Sequence, residues 1–517
     1  MSGHPRTVDT TQWDEASVLH ADIATAVMSR PLGTLLDDAA GRTPSAVAVS
    51  DGHRQLTYAE LSELSGRFAE WMLGFGLRPG DRVVVRAEPT VAFVVALHAA
   101  LRCAVTLVPV HPGHTRHELA AVVTDAEPAL VLHGTDETAP GTVARAVTLT
   151  AALESAAGTA LRLVPGPEPT GPAFLLYTSG SSGRPKGVVC DHDQVRAALG
   201  GIAHRLRYRA DDVVFCRIPL AFDYGLYQVL LTAAAGSHLV LAPGDTTVDL
   251  TALLSRSRAT VLPVVPTLAR MILALSRRGP DLSHVRLVTS TGERLTHEDQ
   301  RALLEALPCA ELSLMYGLTE CKRVTVRPPT RHALPSDTVG FPIPGTRVAV
   351  LDTAGEVVPC GEIGEIVTTG PHVTSGYWRS PESTDRCFAR CRGTGRPVLF
   401  TGDFGHTTPE GELVVLGRHD DQYKAAGMRV SGAEVETAAT GIPGVGDAVL
   451  VPPAGGRGAV LWVATPLAPD QVVAGLHRLL DPAKVPREVR VVPSLPTTAN
   501  GKLDRARVRA WTGEDRG

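Results

Sequence analysis

From Leu56 to Ser290 the chain alternates helical text with short, continuous apolar strands, and this alternation restricts the fold more than any other feature. The stretch YAELSELSGRFAEWMLGFGL spaces its apolar residues by three and four until Pro79-Gly80 breaks it. A β-branched run (DRVVVRAE) follows, then a second helix (VAFVVALHAALRC), a strand (AVTLVPV), a helix over 117–126 and the strand PALVLHG. The same rhythm returns over 193–241 and 250–290. Strands apolar at every position are buried on both faces, and the helices between them provide the crossovers that parallel pairing requires. An α/β fold with helix-covered parallel sheets is therefore expected.

The flanking text differs. Residues 1–28 are polar and irregular and read as a leader or a loosely docked first helix. Residues 138–172, rich in Ala, Gly, Pro and Thr, read as a linker or surface excursion between two sheet units. After about residue 338 short strands with Gly/Pro turns suggest a β-rich unit. From near Gly417 the order is strand, helix (GMRVSGAEVE), strand (DAVLVPP), strand (AVLWVAT), helix (DQVVAGLHRLL), strand (REVRVV) and a loop ending in Lys502. The expectation is a large N-terminal domain, residues 1–419, of two sheet-helix layered subdomains plus a β-rich subdomain. A small α+β C-terminal domain, 420–517, follows.

A length of 517 residues accommodates such a division, and a net charge of −4 argues against a nucleic-acid surface. No apolar run reaches the about 18 residues of a membrane span, and the N-terminus lacks the apolar core of a secretory signal. Eight cysteines spread singly fit reduced thiols, so a cytoplasmic protein is expected.

Tyr177–Val189 (YTSGSSGRPKGVV) lies between a buried strand and an apolar continuation. Its glycines and hydroxyls form a turn whose backbone N–H groups can surround phosphate oxygens, with Lys186 adding a positive charge. The spacing is not that of a Walker A loop. This segment resembles the signature loop of adenylate-forming enzymes: acyl-CoA synthetases, nonribosomal-peptide adenylation domains and luciferases. The likeness runs in order from about residue 30 to 510, through Tyr316-Gly317-Leu318-Thr319-Glu320, Gly361–Glu365 with Gly376-Tyr377-Trp378, Thr401-Gly402-Asp403, Gly417-Arg418-His419-Asp420 and Asn500-Gly501-Lys502.

The resemblance implies a ligase that joins a carboxylate to the α-phosphate of ATP, releases pyrophosphate and passes the acyl group to a thiol. The nucleotide would be bound by Thr178, Ser179, Gly180, Ser181, Ser182, Gly183, Tyr316, Gly317, Asp403 and Arg418, with Asp403 on the ribose hydroxyls. Glu320 would hold Mg²⁺, a hard ion suited to carboxylate oxygen. Thr319 and Lys186 would meet phosphates, and Lys502 would bridge the substrate carboxylate and the phosphate. The implied acid pocket is Phe222, Asp223, Tyr224, Tyr227, Thr289, Thr291, Met315, Arg323 and Val324.

Phe222-Asp223 matches the amino-acid-activating members, in which this carboxylate meets the substrate ammonium. Leu318, which gives YGLTE where those members usually read YGPTE, matches acyl ligases and luciferases instead. Arg323 could meet a second carboxylate or face solvent. The thiol would belong to the phosphopantetheine arm of a separate carrier protein, as in secondary-metabolite peptide synthesis, or to CoA. His111, His114 and His117 recur every three residues, but Pro112-Gly113 breaks any helix that could align the first two, and no Cys or acid completes a zinc tetrahedron. Of the five lysines, Lys322 reads as pocket or surface, Lys424 lies in the loop that would face the thiol, and Lys484 has no assigned task.

Overall fold

The computed structural model describes residues 7–8, 10, 19–20, 31–134, 145–161, 171–179, 185–242, 250–276, 281–332, 338–418, 422–425, 428–453, 458–498 and 502–514. Among them, the alternating region forms two sheets. Arg82–Arg86, Thr106–Val110 and Leu130–His133 are parallel neighbours in a six-stranded sheet whose edge is the hairpin of Pro172–Ser179 and Pro185–Asp191. Val213–Cys216, His238–Leu241, Val261–Val264, Leu287–Ser290 and Glu311–Tyr316 are the parallel centre of a nine-stranded sheet. These strands are buried almost throughout, as continuous apolar runs require.

Helices from both units share one core. Tyr58–Gly74, opened by a capping box of Thr57 and Glu60, contributes Tyr58, Phe68 and Met72. Val91–Arg102 is buried on nearly every face, because other elements surround it. The Tyr58 hydroxyl donates to the carbonyls of Thr232 (2.9 Å) and Ser237 (2.6 Å), tying the first unit to the second.

The β-rich unit is a seven-stranded sheet built on Arg347–Leu351, Gly364–Thr369 and Pro397–Thr407, with a separate core around Val348, Ile366 and Leu399. The N-terminal segment corrects the expectation of a leader or docked helix. Thr7–Val8 pairs in parallel with Arg390–Cys391, and Leu19–His20 pairs with Val348 and Arg347, so strand pairs too short to show periodicity extend this sheet. The expected excursion over 138–172 also carries structure. Ala146–Thr148 adds a strand to the six-stranded sheet, and Leu149–Ala157 is a helix capped by Thr148 that buries Ala152 and Ala156. Leu149 and Leu153 complete that buried face, and the alanines among them are why its composition read as a linker.

The small C-terminal domain has its own core of Val430, Val435, Ala439, Leu450, Leu461, Val472 and Leu476. A hairpin (Gln422–Ala425, Met428–Ser431) precedes a helix (Gly432–Thr440) and a three-stranded sheet of Asp447–Val451, Val460–Ala464 and Glu488–Val492. A final helix, Arg505–Glu514, was not expected. His419, Asp420 and Asp421 lie outside the described residues.

Candidate active site

Parallel strands deliver the loops at their C-terminal ends to one side of a sheet, where open α/β folds bind ligands. In the nine-stranded sheet, Ser290 is registered with Leu314, which sets Thr291-Gly292 beside Met315–Gly317. The strand Val213–Cys216 leads into Phe222 and Asp223. Phe222 is the N-cap position of Asp223–Ala235, and Asp223 occupies its acidic first turn.

The end of the site around Asp223 is densely partnered. Arg323, 5% exposed at its side chain, places a guanidinium nitrogen 3.2 Å from Asp223 Oδ2 and lies 5.0 Å over the Tyr224 ring. Arg323 Nε has no hydrogen-bond partner among the described residues. Tyr224 donates its hydroxyl to the Thr289 carbonyl (2.8 Å) and lies 2.7 Å from Thr289 Oγ1, fixing helix to strand. Thr291 Oγ1 is buried without a partner among the described residues. Met315 is buried in the shared core. Tyr227 turns its hydroxyl to the Val195 carbonyl at 3.4 Å, and Val324 packs into the core of the β-rich unit. His111 stacks on Phe222 with ring centroids 5.8 Å apart.

The other end gathers residues from three sheets. The Tyr316 hydroxyl donates to Asp403 Oδ2 (2.7 Å), and Arg418 Nε lies 3.3 Å from Asp403 Oδ1. Burial pushes the Asp403 carboxyl up, opposed by the Arg418 guanidinium and the Tyr316 hydroxyl. The Tyr377 hydroxyl donates to Glu320 Oε1 (2.7 Å), and Lys186 Nζ lies 5.3 Å from the centroid of the Tyr377 ring. Thr178 and Lys186 are partners in the edge hairpin, Ser179 closes its first strand, and Gly180, Ser181, Ser182 and Gly183 lie outside the described residues. The free edge of that hairpin is bound by the β-rich unit: Val189 N–H donates to the Gly376 carbonyl (3.0 Å) and Trp378 N–H to the Gly187 carbonyl (2.7 Å). Gly376 has φ +126°, and a Cβ there would stand 2.4 Å from Thr384 Cγ2.

Between the two ends Lys322 is almost fully buried, with Nζ donating to the Thr319 carbonyl and lying 2.9 Å from Cys190 Sγ. It braces Thr319 and Glu320 against the hairpin strand. Gly317 is required in the same turn, because a Cβ would sit 2.2 Å from the Lys322 carbonyl oxygen.

Lys502 comes from the small domain and lies over the end of the strand Leu287–Ser290. A Cβ on Gly292 would be 2.9 Å from Lys502 Cε and 3.1 Å from Nζ. The Lys502 carbonyl accepts from Thr498 N–H (2.7 Å) and Thr498 Oγ1 (3.1 Å). The neighbouring Leu503 N–H donates to Glu293 Oε1 (3.2 Å).

Residues 36–378 match the family model described as AMP-binding enzyme. The chain belongs to that family. This AMP-binding enzyme is 30% identical over 88% of its length to the L-proline–[L-prolyl-carrier protein] ligase of Streptomyces coelicolor, of which it covers 92%. ATP-bound MatB of Rhodopseudomonas palustris superposes with a TM-score of 0.84 at 29% identity, over 94% of this chain and 99% of that one. VinN in complex with L-aspartate superposes with a TM-score of 0.66 at 37% identity, over 77% of this chain and 100% of that one. Five further synthase and synthetase relatives are 28–32% identical, and the enzyme spans only 18–45% of their length.

The AMP-binding enzyme is thus an AMP-forming ligase that uses ATP and Mg²⁺. Among the described residues no three His, Cys, Asp or Glu side chains cluster as a metal cage. One oriented carboxylate, Glu320, suits an ion that takes its other ligands from phosphates and water. Among the described residues no helix is long and apolar enough to cross a membrane. Sequence reading assigned no role to Tyr377, Lys322 or Glu293. The position of Tyr377 in Gly376-Tyr377-Trp378 was the available signal, whereas nothing local marked Lys322 as buried.

Proposed function

We propose that this ligase adenylates an amino acid bearing a second carboxylate and transfers the acyl group to the phosphopantetheine thiol of a separate carrier protein. One observation carries the reading: a preformed, nearly buried Asp223–Arg323 pair at 3.2 Å, with Arg323 Nε unpartnered. A buried carboxylate and a buried guanidinium can each exchange the other for a ligand charge. The substrate ammonium goes to Asp223, its second carboxylate to Arg323, and its reacting carboxylate towards Lys502. The L-aspartate bound by VinN and the carrier-protein acceptor of the Streptomyces ligase support this reading.

In this mechanism Asp403 accepts the ribose hydroxyls, Arg418 and Tyr316 flank the nucleoside, and Gly317 lets the backbone approach it. Thr178 and Ser179 lead into the loop Gly180–Gly183 that surrounds the phosphates. Lys186 and Thr319 bind phosphate oxygens. Glu320, oriented by Tyr377, would hold Mg²⁺, whose charge would offset that of the phosphates. Lys502 places its ammonium between the attacking carboxylate and the α-phosphate, where negative charge concentrates in the transition state. Phe222, Tyr224, Tyr227, Thr289, Thr291, Met315 and Val324 shape or brace the acid pocket. The small domain, 420–517, then turns about a hinge near Asp420 to admit the thiol.

A second reading, a CoA ligase for a small or medium acid, is favoured by Leu318 and by the fold likeness to MatB. Acid-dependent exchange of pyrophosphate into ATP, run across amino, dicarboxylic and fatty acids, separates the two. Exchange confined to acids without an amino group would overturn the role of Asp223. Equal exchange with aspartate-like and uncharged amino acids would overturn that of Arg323. CoA and a phosphopantetheinylated carrier protein then compete as acceptors.

A further inference from the structure

Lys502 does not reach the site from the large domain, so its position depends on what holds the two domains together. Three contacts cross from two places in the large domain, the helix Pro266–Ser276 and the turn after the strand Leu287–Ser290. Arg270, on the helix Pro266–Ser276, is pinned by Asp299 (3.1 Å) and pairs with Asp447, the first residue of a small-domain strand. Arg294 donates to Thr437 on the helix Gly432–Thr440. Glu293 accepts from the Leu503 N–H at 3.2 Å.

All three lead to the Lys502 loop. Glu436, next to Thr437, accepts two bonds from Arg505 at 2.6 Å each and one from Leu450 N–H at 2.7 Å. Arg505 opens the helix that follows Lys502, and Thr498 closes the loop before it. The backbone of Lys502 is therefore tied to the small domain, and docking of that domain sets where the lysine lies.

We propose that Arg270, Glu293 and Arg294 are positioning residues: together they form a latch that selects the domain orientation in which Lys502 lies over Gly292. The proposal rests on the adenylating role given to Lys502 above. Asp447 and Arg270 are each 28% exposed, and pairs open to solvent hold weakly, so the latch can release for the second half-reaction. Glu293 is half-buried, and burial pushes its carboxyl up while Lys502 and Arg505 pull it down, so it faces the cations of the very loop it holds.

The test compares the full-length enzyme with Arg270→Ala, Arg270→Lys and Glu293→Gln in two assays. One is pyrophosphate exchange with the preferred acid; the other is thioester formation from supplied acyl-adenylate and pantetheine. The latch predicts a five- to twentyfold lower exchange kcat for Arg270→Ala and Glu293→Gln, with KM for acid and ATP within twofold. Thioester formation stays at or above the wild-type rate, and Arg270→Lys recovers at least half of the exchange. Arg270→Ala combined with Asp447→Ala is no worse than Arg270→Ala alone. Equal losses in both assays, a raised KM, or unchanged exchange overturn the latch. Full exchange by Lys502→Ala overturns the underlying reading instead, which separates the two failures.

Discussion

Asp223 and Arg323 meet inside the large domain at 18% and 5% side-chain exposure, braced by Tyr224 on Thr289. Lys502 reaches the same sheet end only through contacts between domains, and its principal ion-pair support, Arg270–Asp447, is 28% exposed on both sides. The proposed acid pocket is thus preformed, while the group proposed to act on the acid is delivered. Selectivity gains from preorganisation, because a rigid charged pocket leaves a wrong ligand with unpaired partners. Delivery gains from weak contacts if, as proposed, one domain serves two half-reactions.

The comparison breaks most readily at Lys502. Lys502→Ala is expected to lower pyrophosphate exchange by about 10²–10³ while sparing thioester formation from supplied acyl-adenylate. Equal loss in both would mean that Lys502 belongs to the pocket rather than to the delivered apparatus. Asp223→Ala strands a buried guanidinium and should lower unfolding stability in urea by about 3 kcal/mol, besides raising KM for an amino substrate more than tenfold. A change below about 0.5 kcal/mol would show the pair to be solvated. Tyr377→Phe removes the donor that orients Glu320 and should raise the Mg²⁺ concentration for half-maximal exchange about tenfold, with KM for the acid unchanged.

The smallest effect distinguishes the domains by pH. His98 and His372, both buried in the large domain, are pushed down to about 3 by desolvation, whereas His477 of the small domain is exposed. Because their folded values lie below the unfolded value of about 6.5, their stability contribution is full above that pH and is lost as pH falls towards 3. Going from pH 7.5 to 5.5 should cost the large-domain transition about 1.4 kcal/mol per histidine, and the small-domain transition less. His98→Leu, measured by calorimetry at both values, should remove part of the difference.

Much of the fold was legible because buried parallel strands write themselves as unbroken apolar runs; Val83–Val85 and Val261–Val264 are examples. The N-terminal strand pairs were not, since Thr7–Val8 and Leu19–His20 are held by partners more than three hundred residues away in sequence and have no period of their own. In the site, Glu320, Asp403 and Lys186 stood in recognisable local text. The meeting of Asp223 with Arg323, of Tyr377 with Glu320, and of Lys322 with Cys190 depends on sheet order, which no local window encodes. Lys322 is the clearest case: a lysine is ordinarily a surface residue, and the Thr319 carbonyl, the Cys190 thiol and a left-handed backbone (φ +62°) hold it inside.

The Asp223–Arg323 pair also bears on how such a pocket changes its preference. The partners lie 100 positions apart in the chain, so altering either one alone leaves the other as a buried orphan charge. Exchanging both for apolar side chains of similar volume removes that penalty. Descent from one acid to another therefore crosses a valley that single nucleotide changes do not bridge easily. A laboratory effort to retarget the enzyme should randomise codons 223 and 323 jointly, because libraries built one position at a time would discard the intermediates as misfolded.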